Sequence, residues 1–118
     1  MIISWIYLCL AITMELAGTT CIKLSHGLTD IVPSIMMFVF YAASISLFAM
    51  ALKKLNLGLA YAIWSGLGTA GIALIGILWL HESLSWIKVV GIALIVLGVV
   101  TLNLTNVTEE QLAQKQYD

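Results

Sequence analysis

Charge is scarce in this sequence: only 9% of its 118 residues are charged, and the net charge is −1. Soluble domains carry about 25% charged residues, so the scarcity excludes an ordinary water-facing surface. Histidine is limited to two residues, His26 and His81. They fall in separate polar breaks with no acid or nucleophile at a recognisable spacing, which argues against an enzyme. The two cysteines, Cys9 and Cys21, share one apolar run but point in different directions. They form neither a disulfide framework nor a metal knuckle. No metal, cofactor or nucleic-acid partner is expected.

Apolar residues fill the space that charge leaves, at 62% of the chain, with a mean hydropathy of +1.08. Spanning the hydrocarbon core takes about 20 mostly apolar residues as a helix. Four runs qualify, near Ile2–Ile22, Pro33–Leu52, Leu57–Leu80 and Trp86–Leu104. The first lacks the basic n-region and small-residue cleavage site of a signal peptide, so it is expected to remain in the mature protein. The fold expected is all-α and integral to the lipid bilayer. It comprises a single four-helix transmembrane domain over 1–105 and a polar, helix-prone tail over 106–118.

Most charges fall in the breaks, at helix ends or in the tail; Glu15 is the exception. It sits near the middle of the first span, where an acid costs about 2.5–3.5 kcal/mol on insertion scales. No lysine or arginine lies at comparable depth, so a permanent ion pair within the chain is excluded. The remaining partners are a proton or a cationic ligand, and one carboxyl binds either but not both. Interhelical glue by a protonated carboxyl is the structural alternative.

Helical spacing puts Ala11, Gly18 and Thr19 on the Glu15 face. Such small residues serve either a cavity or close helix packing. The second span offers Tyr41, Ser44 and Phe48 on one face, and the third carries Tyr61, Trp64, Ser65 and Gly68 at helical spacing. Trp and Tyr usually anchor at the membrane interface; Trp64 lies deeper. Aromatic faces attract organic cations by about 0.5–2 kcal/mol each, so an acid ringed by aromatics suits a lipophilic cation. Gly66 and Gly68, mid-span, predict a kink that serves as a hinge.

Four thin helices hardly enclose a cavity with two gates, so a dimer is expected. Gly91 and Gly98, seven residues apart on the fourth span, supply the seam, with Leu94 and Ile95 between them to pack across. Lys53, Lys54 and Lys115 on the side of both termini nearly balance Lys23 and Lys88 on the other. That weak bias lets the chain insert both ways.

The segments Glu15-Leu-Ala-Gly-Thr-Thr, with Lys23, Gly27 and Pro33 following, Ala60-Tyr-Ala-Ile-Trp-Ser-Gly-Leu-Gly68, and Gly91 with Gly98 resemble the small multidrug resistance transporters, helix 1 through helix 4. The resemblance implies an antiparallel, dual-topology homodimer in the bacterial plasma membrane that exchanges protons for cationic drugs by alternating access. Two copies of Glu15 would share one site. Carried over by position, Tyr41, Tyr61 and Trp64 line the drug site, Gly66 and Gly68 form the kink, and Ser44 and Ser65 orient the carboxylates. Gly18-Thr19 with Tyr41 looks like the quaternary-ammonium branch, because guanidinium exporters of the family carry Trp where this chain has Gly18. Export of guanidinium or a polyamine, or a non-transporting structural or regulatory subunit, are the other readings.

Overall fold

The computed structural model describes residues 2–117. Met1 and Asp118, the outer ends of the expected 1–105 domain and 106–118 tail, lie outside the described residues. Four helices follow one another: α1 (Ile2–Leu24), α2 (Ile31–Ala51), α3 (Leu57–Leu78) and α4 (Trp86–Tyr117). Each is long and apolar enough to cross a membrane.

The ends of the helices are set by local chemistry. After α1 the backbone turns through three consecutive left-handed residues, His26, Gly27 and Leu28 (φ 50°, 76° and 67°). The buried Ser25 ties this turn together, its hydroxyl oxygen accepting from the Leu28 amide at 3.0 Å and its carbonyl from Asp30 at 3.0 Å. α2 begins at Ile31, ahead of Pro33, because a proline in the first turn lacks only an N–H that has no intrahelical partner there. α3 stops at Leu78, two residues before the end of its apolar run, where the Glu82 amide folds back to the Gly76 carbonyl at 2.9 Å.

α4 does not end with its apolar run at Leu104. The residues from Thr105 to Tyr117 contain neither glycine nor proline, and good helix formers dominate after Thr108. The helix therefore runs 32 residues, about 48 Å at 1.5 Å per residue, well beyond a hydrocarbon core of about 30 Å. Asn56, between α2 and α3, donates to Asn106 at 2.9 Å, and Asn106 donates to Glu110 at 3.2 Å.

α1 packs against α2 and α3, while α4 packs against α3. The main apolar cluster, including Leu8, Ile12, Ala51, Leu55, Leu59 and Ile63, lies toward the side of the termini. The fold measures 58 × 34 × 17 Å, and its thinnest dimension is less than two helix diameters. α4 has no buried residue, and large apolar side chains line its outer face, such as Leu94 and Leu97. The subunit is a slab whose apolar faces need lipid or another chain.

Candidate cation and proton site

Glu15 lies midway along α1, and its two carboxylate oxygens have different surroundings. One turn further on, Thr19 Oγ1 donates to Glu15 Oε1 at 3.1 Å. The same hydroxyl is 2.8 Å from Tyr41 Oη on α2. Threonine has one hydroxyl proton, so with that proton on Glu15 the phenol supplies the next one. The chain runs Tyr41 to Thr19 to Glu15 Oε1.

Gly18 makes this arrangement possible. A methyl group at Gly18 would lie 2.7 Å from Tyr41 Cδ1 and 2.8 Å from Cε1, well inside contact distance. The missing side chain lets the phenol ring lie on α1 and reach Thr19.

Glu15 Oε2 is buried with no hydrogen-bond partner, and so is Trp64 Nε1. Buried polar atoms are nearly always satisfied, so an unpaired acceptor and an unpaired donor around one site mark where a guest or water completes the bonding. Oε2 faces α3 at Gly68, where a methyl group would stand 2.9 Å from it. Two pockets share Glu15 and Trp64 in their linings. One of about 180 Å³ is lined by Glu15, Trp64, Ser65, Gly68, Thr69 and Ile72. The other, about 270 Å³, is lined by Glu15, Tyr41, Ser44, Ile45 and Trp64. Neither contains a lysine. Among the described residues the one ion pair joins His26 to Asp30, in the exposed turn after α1.

The aromatic residues form a group beside these pockets. Phe48 stacks on Trp64 with centroids 4.9 Å apart and planes at 26°. Tyr61 meets Trp64 edge-on at 5.7 Å and Phe48 at 6.5 Å. Tyr61 belongs to the aromatic group but lines neither pocket. Phe48, which the expected site set omits, is the platform that sets the Trp64 ring plane.

Several expected site residues have other local roles. Ala11 is fully buried beneath α2, where its carbonyl accepts the Ser44 hydroxyl at 2.7 Å. Ala11 therefore joins α1 to α2 instead of lining a pocket. Ser65 lines one pocket, but its hydroxyl donates to its own helix at the Tyr61 carbonyl, 2.7 Å away. Neither serine orients the carboxylate of this chain; Thr19 does. Thr69 and Ile72 follow Ser65 at offsets of four and seven, so the α3 pocket stripe was open to a spacing argument that stopped at Gly68.

The glycines of α3 separate by direction. Gly66 faces α4, where a methyl group would meet Val99 Cγ2 at 2.8 Å and Ile95 Cγ2 at 3.2 Å. Gly68 faces Glu15, and the α-helix continues without interruption through both. Gly91 and Gly98 have no atom within 4 Å of an added methyl group. They remain on an open face with Leu94, whereas Ile95 turns to α3 at Gly66 and is not available to the expected seam.

Comparison with known proteins agrees with this architecture. Residues 3–95 match the family described as Small Multidrug Resistance protein. The chain is 43% identical over 100 residues to the nicotine metabolites export pump subunit NepA of Paenarthrobacter nicotinovorans, covering 85% of this chain and 86% of that one. It is 40% identical over 104 residues to the multidrug resistance protein mmr of Mycobacterium leprae, covering 87% and 97%. It is also 40% identical over 103 residues to a guanidinium exporter of Yersinia pseudotuberculosis, covering 87% and 99%.

Proposed function

The chain belongs to the small multidrug resistance family of membrane exporters, and from that premise we propose that it exports lipophilic and quaternary ammonium cations in exchange for protons. It is a multi-pass protein of the bacterial inner membrane. The observation that carries the proposal is the free oxygen of Glu15, buried and unpartnered beside Trp64, with no cationic side chain to neutralise it. A proton and an organic cation compete for that oxygen. Cation binding from the inner side displaces protons, the site changes the face it opens to, and protons from outside displace the cation.

The complete transporter in this proposal is an antiparallel dimer of identical chains. One subunit is only 17 Å thick, and in this reading a second chain supplies a further wall for the Glu15 site and the second carboxylate. Gly91, Leu94 and Gly98 supply the contact on α4. The hinge proposed at Gly66 and Gly68 would release Ile95 and Val99 on one side of α3 and Glu15 on the other as the site changes face. Membrane potential supplies about 2.3 kcal/mol per charge per 100 mV, so entry of two protons against one monovalent cation draws on both the potential and the pH gradient.

Similarity to a guanidinium exporter at 40% identity favours a second cargo. A planar guanidinium is best held by both oxygens of a carboxylate. Here Oε1 already accepts from Thr19, and the ring of Tyr41 lies over Gly18. A quaternary ammonium needs no hydrogen-bond acceptor and gains from aromatic faces, about 0.5–2 kcal/mol for each.

Efflux from proteoliposomes under an imposed pH gradient distinguishes the cargoes. An aromatic quaternary ammonium is expected to outpace guanidinium by about tenfold, the selectivity that one or two aromatic contacts provide. The opposite order would assign the chain to guanidinium export, and no movement of either would leave it a non-transporting subunit.

A further inference from the structure

A third pocket, at the opposite end of α3 from Asn56, is not used by the Glu15 site. It holds about 250 Å³ between α3 and α4 and is lined by Ala73, Glu82, Lys88, Gly91, Ile92 and Ile95. Its floor is apolar. On α4, Lys88, Gly91, Ile92 and Ile95 fall at offsets of three, four and seven, which is one helix face. Gly91 leaves that face unfilled at its middle, with nothing within 4 Å of an added methyl group.

The rim is charged with both signs. The Glu82 carboxylate turns back across Gly76, where an added methyl group would meet Glu82 Cδ at 2.8 Å. Lys88 Nζ donates to the Ser83 carbonyl, which anchors the ammonium beside the loop and leaves it two further protons to donate. Glu82 and Lys88 line one pocket, yet they form no ion pair with each other. Opposite charges that border a cavity without meeting leave room for a ligand carrying both signs.

The depth of the rim identifies the ligand class. Trp79 and Trp86, 63% and 84% exposed, bracket this loop, and exposed tryptophan belongs at the membrane–water boundary. The charged rim therefore lies at headgroup level, and the apolar floor runs from it toward the hydrocarbon.

We propose that this groove binds a zwitterionic phospholipid with a primary ammonium headgroup. Lys88 takes the phosphate and Glu82 accepts hydrogen bonds from the ammonium, while an acyl chain follows Ala73, Ile92 and Ile95 on the α3 side of the seam proposed at Gly91, Leu94 and Gly98. A choline headgroup has no N–H to donate to Glu82, and an anionic glycerol headgroup meets its negative charge. The inference requires only that the chain reside in a membrane, so it stands apart from the choice of cargo.

The test is native mass spectrometry of the full chain in detergent. The protein is offered an equimolar mixture of phosphatidylethanolamine, phosphatidylcholine and phosphatidylglycerol. Phosphatidylethanolamine should be retained about tenfold over the others, the discrimination a charge-assisted hydrogen bond provides. Glu82→Gln should bring the three lipids close to parity. Lys88→Gln should lower retention of all of them, and Ala73→Leu, which fills the floor without touching the rim, should do the same. Equal retention by the unmodified chain would overturn the proposal, as would a preference that survives both Glu82→Gln and Lys88→Gln.

Discussion

Tyr41, Thr19 and Glu15 act as a unit because Gly18 has no side chain. A larger residue there meets a rigid aromatic ring at 2.7 Å, and the ring has to leave. Gly18→Leu is expected to break the Tyr41 to Thr19 hydrogen bond and weaken cation binding by about tenfold, with an overpacking cost of about 1–3 kcal/mol. A binding titration with a quaternary ammonium, alongside thermal unfolding in the same detergent, separates the two effects. Unchanged affinity would show that Tyr41 does not position the carboxylate. Glu15 itself was legible in the sequence, because one acid in a long apolar run has no ordinary explanation. The destinations of the serine hydroxyls were not legible. Ser44 and Ser65 share a residue type, but their surroundings differ: buried Ser44 donates across the helix pair to Ala11, and exposed Ser65 donates one turn back to Tyr61.

The four apolar runs mark the helices, but their ends follow rules that hydropathy does not contain. Pro33 falls inside the first turn of α2 instead of opening it, and the polar residues after Leu104 extend α4 because none of them breaks a helix. Within α3, Gly66 and Gly68 were read together as a flexible pair, yet positions two apart on a helix point about 200° apart. One meets α4 and the other meets Glu15. Gly66→Val should therefore loosen α4 from α3, lowering stability by about 1–3 kcal/mol through overpacking against Val99 and Ile95. Gly58, where an added methyl group meets nothing within 4 Å, supplies the control: Gly58→Ala should be tolerated. Equal unfolding temperatures for Gly66→Val and the unmodified chain would mean that this contact does not hold α4.

The whole molecule is a thin slab with one mid-span acid, Glu15, two pockets that share it, and an outer helix with no buried side chain. In water such a chain would expose far too much apolar surface; in a membrane its faces meet lipid and, in the proposed transporter, a second copy. The composition announced the membrane. It gave no access to the asymmetry of the carboxylate, with Oε1 held by Thr19 and Oε2 free, because that depends on which neighbour each oxygen faces. The central claim is that a proton and a cation compete for Glu15. It is tested most directly by measuring proton release from the detergent-solubilised protein in weak buffer as a quaternary ammonium is added. The account predicts saturable release that follows binding and vanishes in Glu15→Gln, a variant that should still assemble. Binding without any proton release, or full release from Glu15→Gln, would contradict it.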